Sequence, residues 1–139
     1  MNRYILDTDT VSLFQDKHPQ VCARFEATNP SDMAVSIITV EEQLSGWYTY
    51  LRRSKTASQQ AFAYRSLTET VQLYSHFNIL SFVETAISRY RSLHKLHLGV
   101  AGWDLRIAAI ALDEEAIVVT RNLRNFQLVP GLKCEDWSV

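Results

Sequence analysis

Three acidic positions carry the chemistry open to this chain. Asp7-Thr8-Asp9 ends the first apolar run, Tyr4-Ile5-Leu6, and Glu42 and Asp104 stand near two later helix starts. Separated carboxylates brought to one rim of a sheet are the usual cage for a hard divalent cation such as Mg²⁺. With little other reactive chemistry nearby, such a cage points to metal-assisted hydrolysis of a phosphodiester. Asp7 directly follows a buried strand, where its charge needs a partner or a metal; its structural alternative is an N-cap for the next helix. Asp9, two residues on, doubles the local negative charge, and two close carboxylates without a cation push one pKa upward. Glu42 has a full structural explanation as the far member of a capping box begun by Thr39, and spacing does not separate it from Glu41. In its favour, it shares a helix face with Ser45, Gly46 and Thr49, where the glycine leaves room for a substrate backbone. Asp104 lies in the first turn of a helix, where the macrodipole favours a carboxylate. That helix is so apolar that its start must lie at the rim of the core.

Other chemistries find little material. The histidines, His18, His76, His94 and His97, form no H-E-x-x-H pattern and have no Cys partner, which argues against zinc. There is no G-x-S-x-G elbow, and with only 4 Gly there is little from which to build a phosphate-cradling loop. Cys22 and Cys134 are too few and too far apart for a disulfide framework and read as reduced, buried thiols of a cytoplasmic protein. Asp113, Glu114 and Glu115 close a helix and read as a solvated turn.

The acids need a frame to converge. At 139 residues and 47% hydrophobic content, the chain fits one domain, 1–139, with a full core. No apolar stretch is long enough to span a membrane. Met1-Asn2-Arg3 leads straight into a strand-like run, which excludes a signal peptide. The net charge of −1 gives no global attraction to nucleic acid, although metal ions would invert the sign of an acidic site. Basic residues cluster instead: Arg52, Arg53, Lys55 and Arg65; Arg89, Arg91, His94, Lys95 and His97; Arg121 and Arg124. Each cluster also reads as an ordinary solvated helix face.

Strands are predicted over Arg3–Leu6, Met33–Ile38, Asn78–Phe82 and Ala116–Thr120, with a weak fifth at Leu132–Cys134. Between them come a short helix capped by Thr8 or Thr10, helices near Gln20–Thr28, from Thr39, over Thr56–Ser75 and Val83–His97, and one opened by Asp104. Val40, Leu44, Trp47 and Leu51 form the expected inward stripe of the Thr39 helix; Phe62, Leu67, Val71 and Tyr74 form that of the next. Alternating strands and helices predict an α/β fold, a three-layer α/β/α sandwich on a mostly parallel sheet of four or five strands. In such sheets ligands bind beyond the strand carboxyl ends. Asp7, Ser36, Thr39 and Thr120 all fall there.

The segments Tyr4–Asp9, Ser36–Gly46, Asp104–Ala109, Val119–Phe126, Val129–Leu132 and Glu135–Trp137, in that order, resemble a PIN-domain nuclease, and among these the VapC-type ribonuclease toxins of bacterial toxin–antitoxin pairs. The resemblance implies a Mg²⁺- or Mn²⁺-dependent endoribonuclease whose acidic metal-binding core is Asp7, Glu42 and Asp104. It implies Asp9 as an auxiliary position, with Thr120 and Asn122, and Arg121 between them, set to position the scissile phosphate. Many relatives carry a further acid where this chain has Asn125, so the resemblance implies one firmly held metal and a weaker second. It also implies an RNA substrate, an antitoxin that inserts a segment into the acidic groove, and a homodimer. Trp47, Tyr48, Tyr50, Phe62, Tyr64 and Tyr74 supply apolar surface for such contacts or for the core.

Two other readings compete. Asp7-Thr8-Asp9-Thr10-Val11 also fits the D-x-D-x-[TV] pattern of haloacid-dehalogenase-type phosphatases, with Asp7 as nucleophile and Asp9 as acid/base. That reading leaves Glu42 without a role and Asp104 without the acidic partner the pattern needs. A non-catalytic PIN-fold binding module is the third.

Overall fold

The structure, a computed structural model, describes residues 3–139. Met1 and Asn2, read above as leading into the first strand, lie outside the described residues. Strands β1 (Tyr4–Leu6), β2 (Met33–Ser36), β3 (Ile79–Leu80), β4 (Ile117–Val119) and β5 (Lys133–Glu135) form one sheet in the order β3-β2-β1-β4-β5. Every pairing is parallel, so all carboxyl ends share one edge. The chain order reverses between β1 and β4, and a sheet of this kind opens its ligand crevice at that point.

The helices are α1 (Thr8–Gln15), α2 (Pro19–Ala27), α3 (Ile37–Arg53), α4 (Ala57–Tyr74), α5 (Glu84–His94), α6 (Gly102–Asp113) and α7 (Leu123–Phe126). The two-residue period of the strands decides which layer each joins. Ile5 and Val118 pack with Ala86 and Leu93 of α5, Ile107 and Ala108 of α6, and Phe126 of α7. Leu6, Val35 and Val119 point the other way, onto Val11 of α1, Val21 of α2, Tyr74 of α4, and Trp137. Helix α3 reaches both layers through Ile38 and Val40. This is the three-layer α/β/α sandwich expected, with a wholly parallel sheet. The strands are two to four residues long, so their ladder is short. Burial of side chains such as Ile5, Leu6 and Val118, worth about 1.5–3 kcal/mol each, is the larger stabilising term. No helix among the described residues is long and apolar enough to cross a membrane.

Several expectations change. Asp7, not Thr8 or Thr10, caps α1: its carboxylate accepts from the Thr10 N–H at 2.8 Å. Helix α3 is capped by Ser36, which accepts from the Thr39 N–H at 3.2 Å, so β2 stops two residues early and Thr39 lies inside the first helical turn. The β-branched run Ile37-Ile38-Thr39-Val40 suits a strand, but Ser36 and the burial of Ile38 and Thr39 turn it helical. Helix α4 buries Ala63, Ser66, Thr70 and Tyr74, while Phe62 and Val71 of the expected stripe are exposed. Tyr48, Tyr50 and Tyr64 are exposed and Tyr74 is buried, so the aromatics divide between surface and core. Cys22 and Cys134 are free but only partly buried.

Candidate active site

The carboxyl edge of the sheet assembles the site from four segments. The β1 strand delivers Asp7, 4% exposed, and its N–H donates to the Val119 carbonyl of β4 at 3.0 Å. Thr120, fully buried, follows β4; its hydroxyl bonds the Asp7 side chain and accepts from the Asn122 N–H at 2.9 Å. Burial lifts the Asp7 pKa above the usual carboxylate range, against the lowering effect of the bonds from Thr120 and Thr10. Asp9 adds only a minor repulsion.

Glu42 lies in the second turn of α3 and accepts from the Thr8 hydroxyl at 2.6 Å. That hydroxyl also lies 3.1 Å from the Thr39 hydroxyl. The capping-box explanation of Glu42 therefore fails. With the cap at Ser36, Glu42 is free of the helix end and turns toward the sheet rim. Glu41 is exposed and faces a separate groove with Ile37, Leu44 and Tyr48.

Asp104 stands in the first turn of α6, whose N-cap, Ala101, has no side chain to offer. Its Oδ2 accepts from the Asn125 Nδ2 at 2.8 Å. Burial, and then the negative charges of Asp7 and Glu42, push its pKa up to about 6. Asp104 thus sits in the field of both Asp7 and Glu42 at the β1/β4 switch point. The three ion pairs among the described residues, Arg24–Glu135, Arg89–Asp113 and Arg121–Asp9, involve none of them. The carboxylates do not close together as a tight cage: no three His, Cys, Asp or Glu side chains among the described residues converge enough to enclose an ion. Each instead leans on its own donors, Asp7 on Thr10 and Thr120, Glu42 on Thr8, Asp104 on Asn125. The donor set is all carboxylate oxygen, which fits Mg²⁺ or Mn²⁺ and not a soft metal.

The rim residues behave differently from expectation. Arg121 grips Asp9 in a bidentate pair, Nε to Oδ2 at 2.9 Å and Nη2 to Oδ1 at 3.1 Å. Asp9 is therefore balanced rather than massed with Asp7. Held by Arg121, it is also not poised as the acid/base partner the phosphatase pattern requires. Asn122 is exposed at the start of α7 with its side chain unused by the cap. Sequence reasoning missed Thr8 as the donor to Glu42, although a hydroxyl between two acids was a visible signal. It read Asn125 only as a missing charge. The histidines serve elsewhere: His18 caps α2 by accepting from the Val21 N–H, and His94, the last residue of α5, neighbours His97 just beyond it, both exposed.

No protein-family model matches the chain. Curated relatives do. "Ribonuclease VapC1" of Haemophilus influenzae is 30% identical over 139 residues, covering 97% of this chain and 98% of its own length. "tRNA(fMet)-specific endonuclease VapC" of Salmonella typhimurium is 29% identical over 142 residues, with 99% of each covered. Among solved structures, DNA-bound VapBC from Salmonella typhimurium superposes with a TM-score of 0.80 at 27% identity, covering 99% of each chain. Fold and end-to-end identity agree: the chain belongs to the VapC family of PIN-domain ribonuclease toxins.

Proposed function

We propose that this VapC-family endoribonuclease is dependent on a divalent cation, Mg²⁺ or Mn²⁺, held by Asp7 and Asp104 directly and by Glu42 directly or through water. The observation that carries the reading is that Asp104 lies in the field of Asp7 and Glu42 at the switch point, and that none of the three has a cationic side-chain partner among the described residues. A bound divalent cation supplies positive charge for the phosphoryl oxygens and lowers the pKa of a water.

The protein's own groups do the rest. Thr120 and Thr10 hold the Asp7 carboxylate in place. Thr8 anchors Glu42 and Asn125 anchors Asp104, leaving one oxygen of each free of those bonds. Asn122, exposed beside them, and Arg121 with its partner Asp9 line the rim where a phosphate arrives, and position it by hydrogen bonds. No histidine or lysine general base is needed. The expected ends are a 5′-phosphate and a 3′-hydroxyl.

The substrate is RNA, in keeping with the names of the curated relatives. A cognate antitoxin is the expected protein partner, since the similar solved structures are VapBC complexes. A homodimer acting in the cytoplasm completes the reading. The test is cleavage of RNA by the purified chain. Mg²⁺ or Mn²⁺ should support it, EDTA should stop it, and Asp7→Asn should lower the rate by on the order of a hundredfold or more. Undiminished cutting by Asp7→Asn refutes the assignment.

A further inference from the structure

A polar cleft between α1, α3 and α4 is unused by the chemistry above. Its volume of about 380 Å³ falls within the roughly 300–1,000 Å³ of small-ligand sites. Gln15 of α1, Gln43 and Trp47 of α3, and Glu69 and Thr70 of α4 line it, with Gly46 opening between them. Two of its walls begin at the acidic site. Gln43 follows Glu42 directly, and Ser12, also in the lining, bonds the carbonyl of Thr8, whose hydroxyl holds Glu42. The cleft is thus walled by α1 and α3, the two helices that carry Thr8 and Glu42.

The lining has no Lys or Arg, so it is built for an uncharged polar group and not for a phosphate. The carboxamides of Gln15 and Gln43 and the carboxylate of Glu69 make no side-chain hydrogen bond or ion pair among the described residues. Three such groups facing one space match the edge of a nucleobase, which mixes donors and acceptors. Trp47 is part of the lining and meets Phe62 and Tyr50 edge-on, at 5.8 and 6.1 Å between ring centroids; an aromatic ring in the wall is a group on which a base can stack. A Cβ at Gly46 would meet nothing within 4 Å. Packing therefore does not demand this helix-interior glycine, and its missing side chain widens the cleft it lines.

Building on the ribonuclease reading, we propose that this cleft receives one unpaired base of the RNA substrate next to the scissile phosphate, with guanine preferred. Guanine alone among the four bases presents two adjacent donors, N1–H and N2–H₂, on its Watson–Crick edge. A carboxylate such as Glu69 accepts two parallel donors in one plane, and the carboxamides serve the remaining acceptors.

The test uses Gly46→Leu, which fills the cleft while improving helix propensity, and Glu69→Ala, which removes the carboxylate that reads guanine, as a second variant. Four short single-stranded oligoribonucleotides differing at one position are titrated against the full chain by fluorescence anisotropy, with Ca²⁺ replacing Mg²⁺. The parent should bind the guanine-bearing strand roughly tenfold tighter than the others. Both variants should bind all four alike, with Mn²⁺ affinity unchanged by calorimetry. Equal binding of the four strands by the parent, no binding, preference for another base, or discrimination undiminished in both variants overturns the proposal. If Gly46→Leu keeps discrimination but no longer retains the antitoxin, the cleft belongs to the protein partner and the proposal likewise falls. Cleavage in Mg²⁺ is scored separately: RNA bound with discrimination yet never cut refutes the nuclease reading and leaves the cleft assignment standing.

Discussion

Asp104→Asn should make the metal-free protein more stable at neutral pH while disabling its metal site. The Asp104 carboxyl is raised from 3.8 to about 6 by burial and by the charges of Asp7 and Glu42. Its proton is thus held more tightly in the folded state than in the unfolded one. Its contribution to stability is fully present below about pH 3.8 and is lost as pH rises through about 6. At neutral pH the ionised carboxylate therefore opposes folding. At 1.36 kcal/mol per pH unit the rise is worth about 3 kcal/mol, a ceiling that partial solvent exposure lowers to about 1–2 kcal/mol. Asparagine keeps the shape and an oxygen for the Asn125 amide, and removes the charge. In EDTA at pH 7 the variant should melt roughly 3–8 °C higher than the parent, and the gap should shrink toward zero as pH falls to 4. Excess Mn²⁺ should reverse the order, because binding stabilises only the protein that can bind. The assay is thermal unfolding by circular dichroism from pH 4 to 8, with EDTA and with Mn²⁺. A variant that melts below the parent in EDTA at pH 7, or a gap that does not change with pH, refutes the reasoning.

Other outcomes follow from neighbouring contacts. Asn125→Asp places a carboxylate against Asp104 where an amide donor now sits; metal-free stability should fall, and calorimetric titration should show a second Mn²⁺ where the parent binds one. Tyr74→Phe removes the one buried side-chain polar atom without a hydrogen-bond partner among the described residues, so the variant should gain about 1 kcal/mol in urea unfolding. Arg121→Ala frees Asp9 from its bidentate pair; because the pair is exposed, the melting temperature should hardly move, while KM for RNA rises.

The frame of the site was legible because its signals are local. Apolar runs that end in Asp7 and Thr120 mark strand ends, and alternation of strands with helices places those ends on one edge. The apolar helix behind Asp104 had to start at the core rim, and α6 does. Glu42 was harder, since Ser36 and Thr39 offer two overlapping caps three residues apart, and only packing of Ile38 and Thr39 decides between them. The face of α4 was misjudged because hydrophobicity favours Phe62 and Val71, whereas the buried positions of the helix carry the small or polar Ala63, Ser66 and Thr70. Ser66 and Thr70 of that face line the polar cleft. The Asp9–Arg121 pair, 112 residues apart in sequence, and the Asn125–Asp104 bond, 21 apart, left no local trace. Both are consequences of the switch point, where segments distant in sequence are brought to a single rim.

The central claim is that Asp7, Glu42 and Asp104 act as one ligand set, and calorimetric titration with Mn²⁺ tests it most directly. The parent should bind one ion firmly, and Asp7→Asn, Glu42→Gln and Asp104→Asn should each weaken that binding without unfolding the chain. Mn²⁺ affinity unchanged across all three variants, or no binding by the parent, would contradict it.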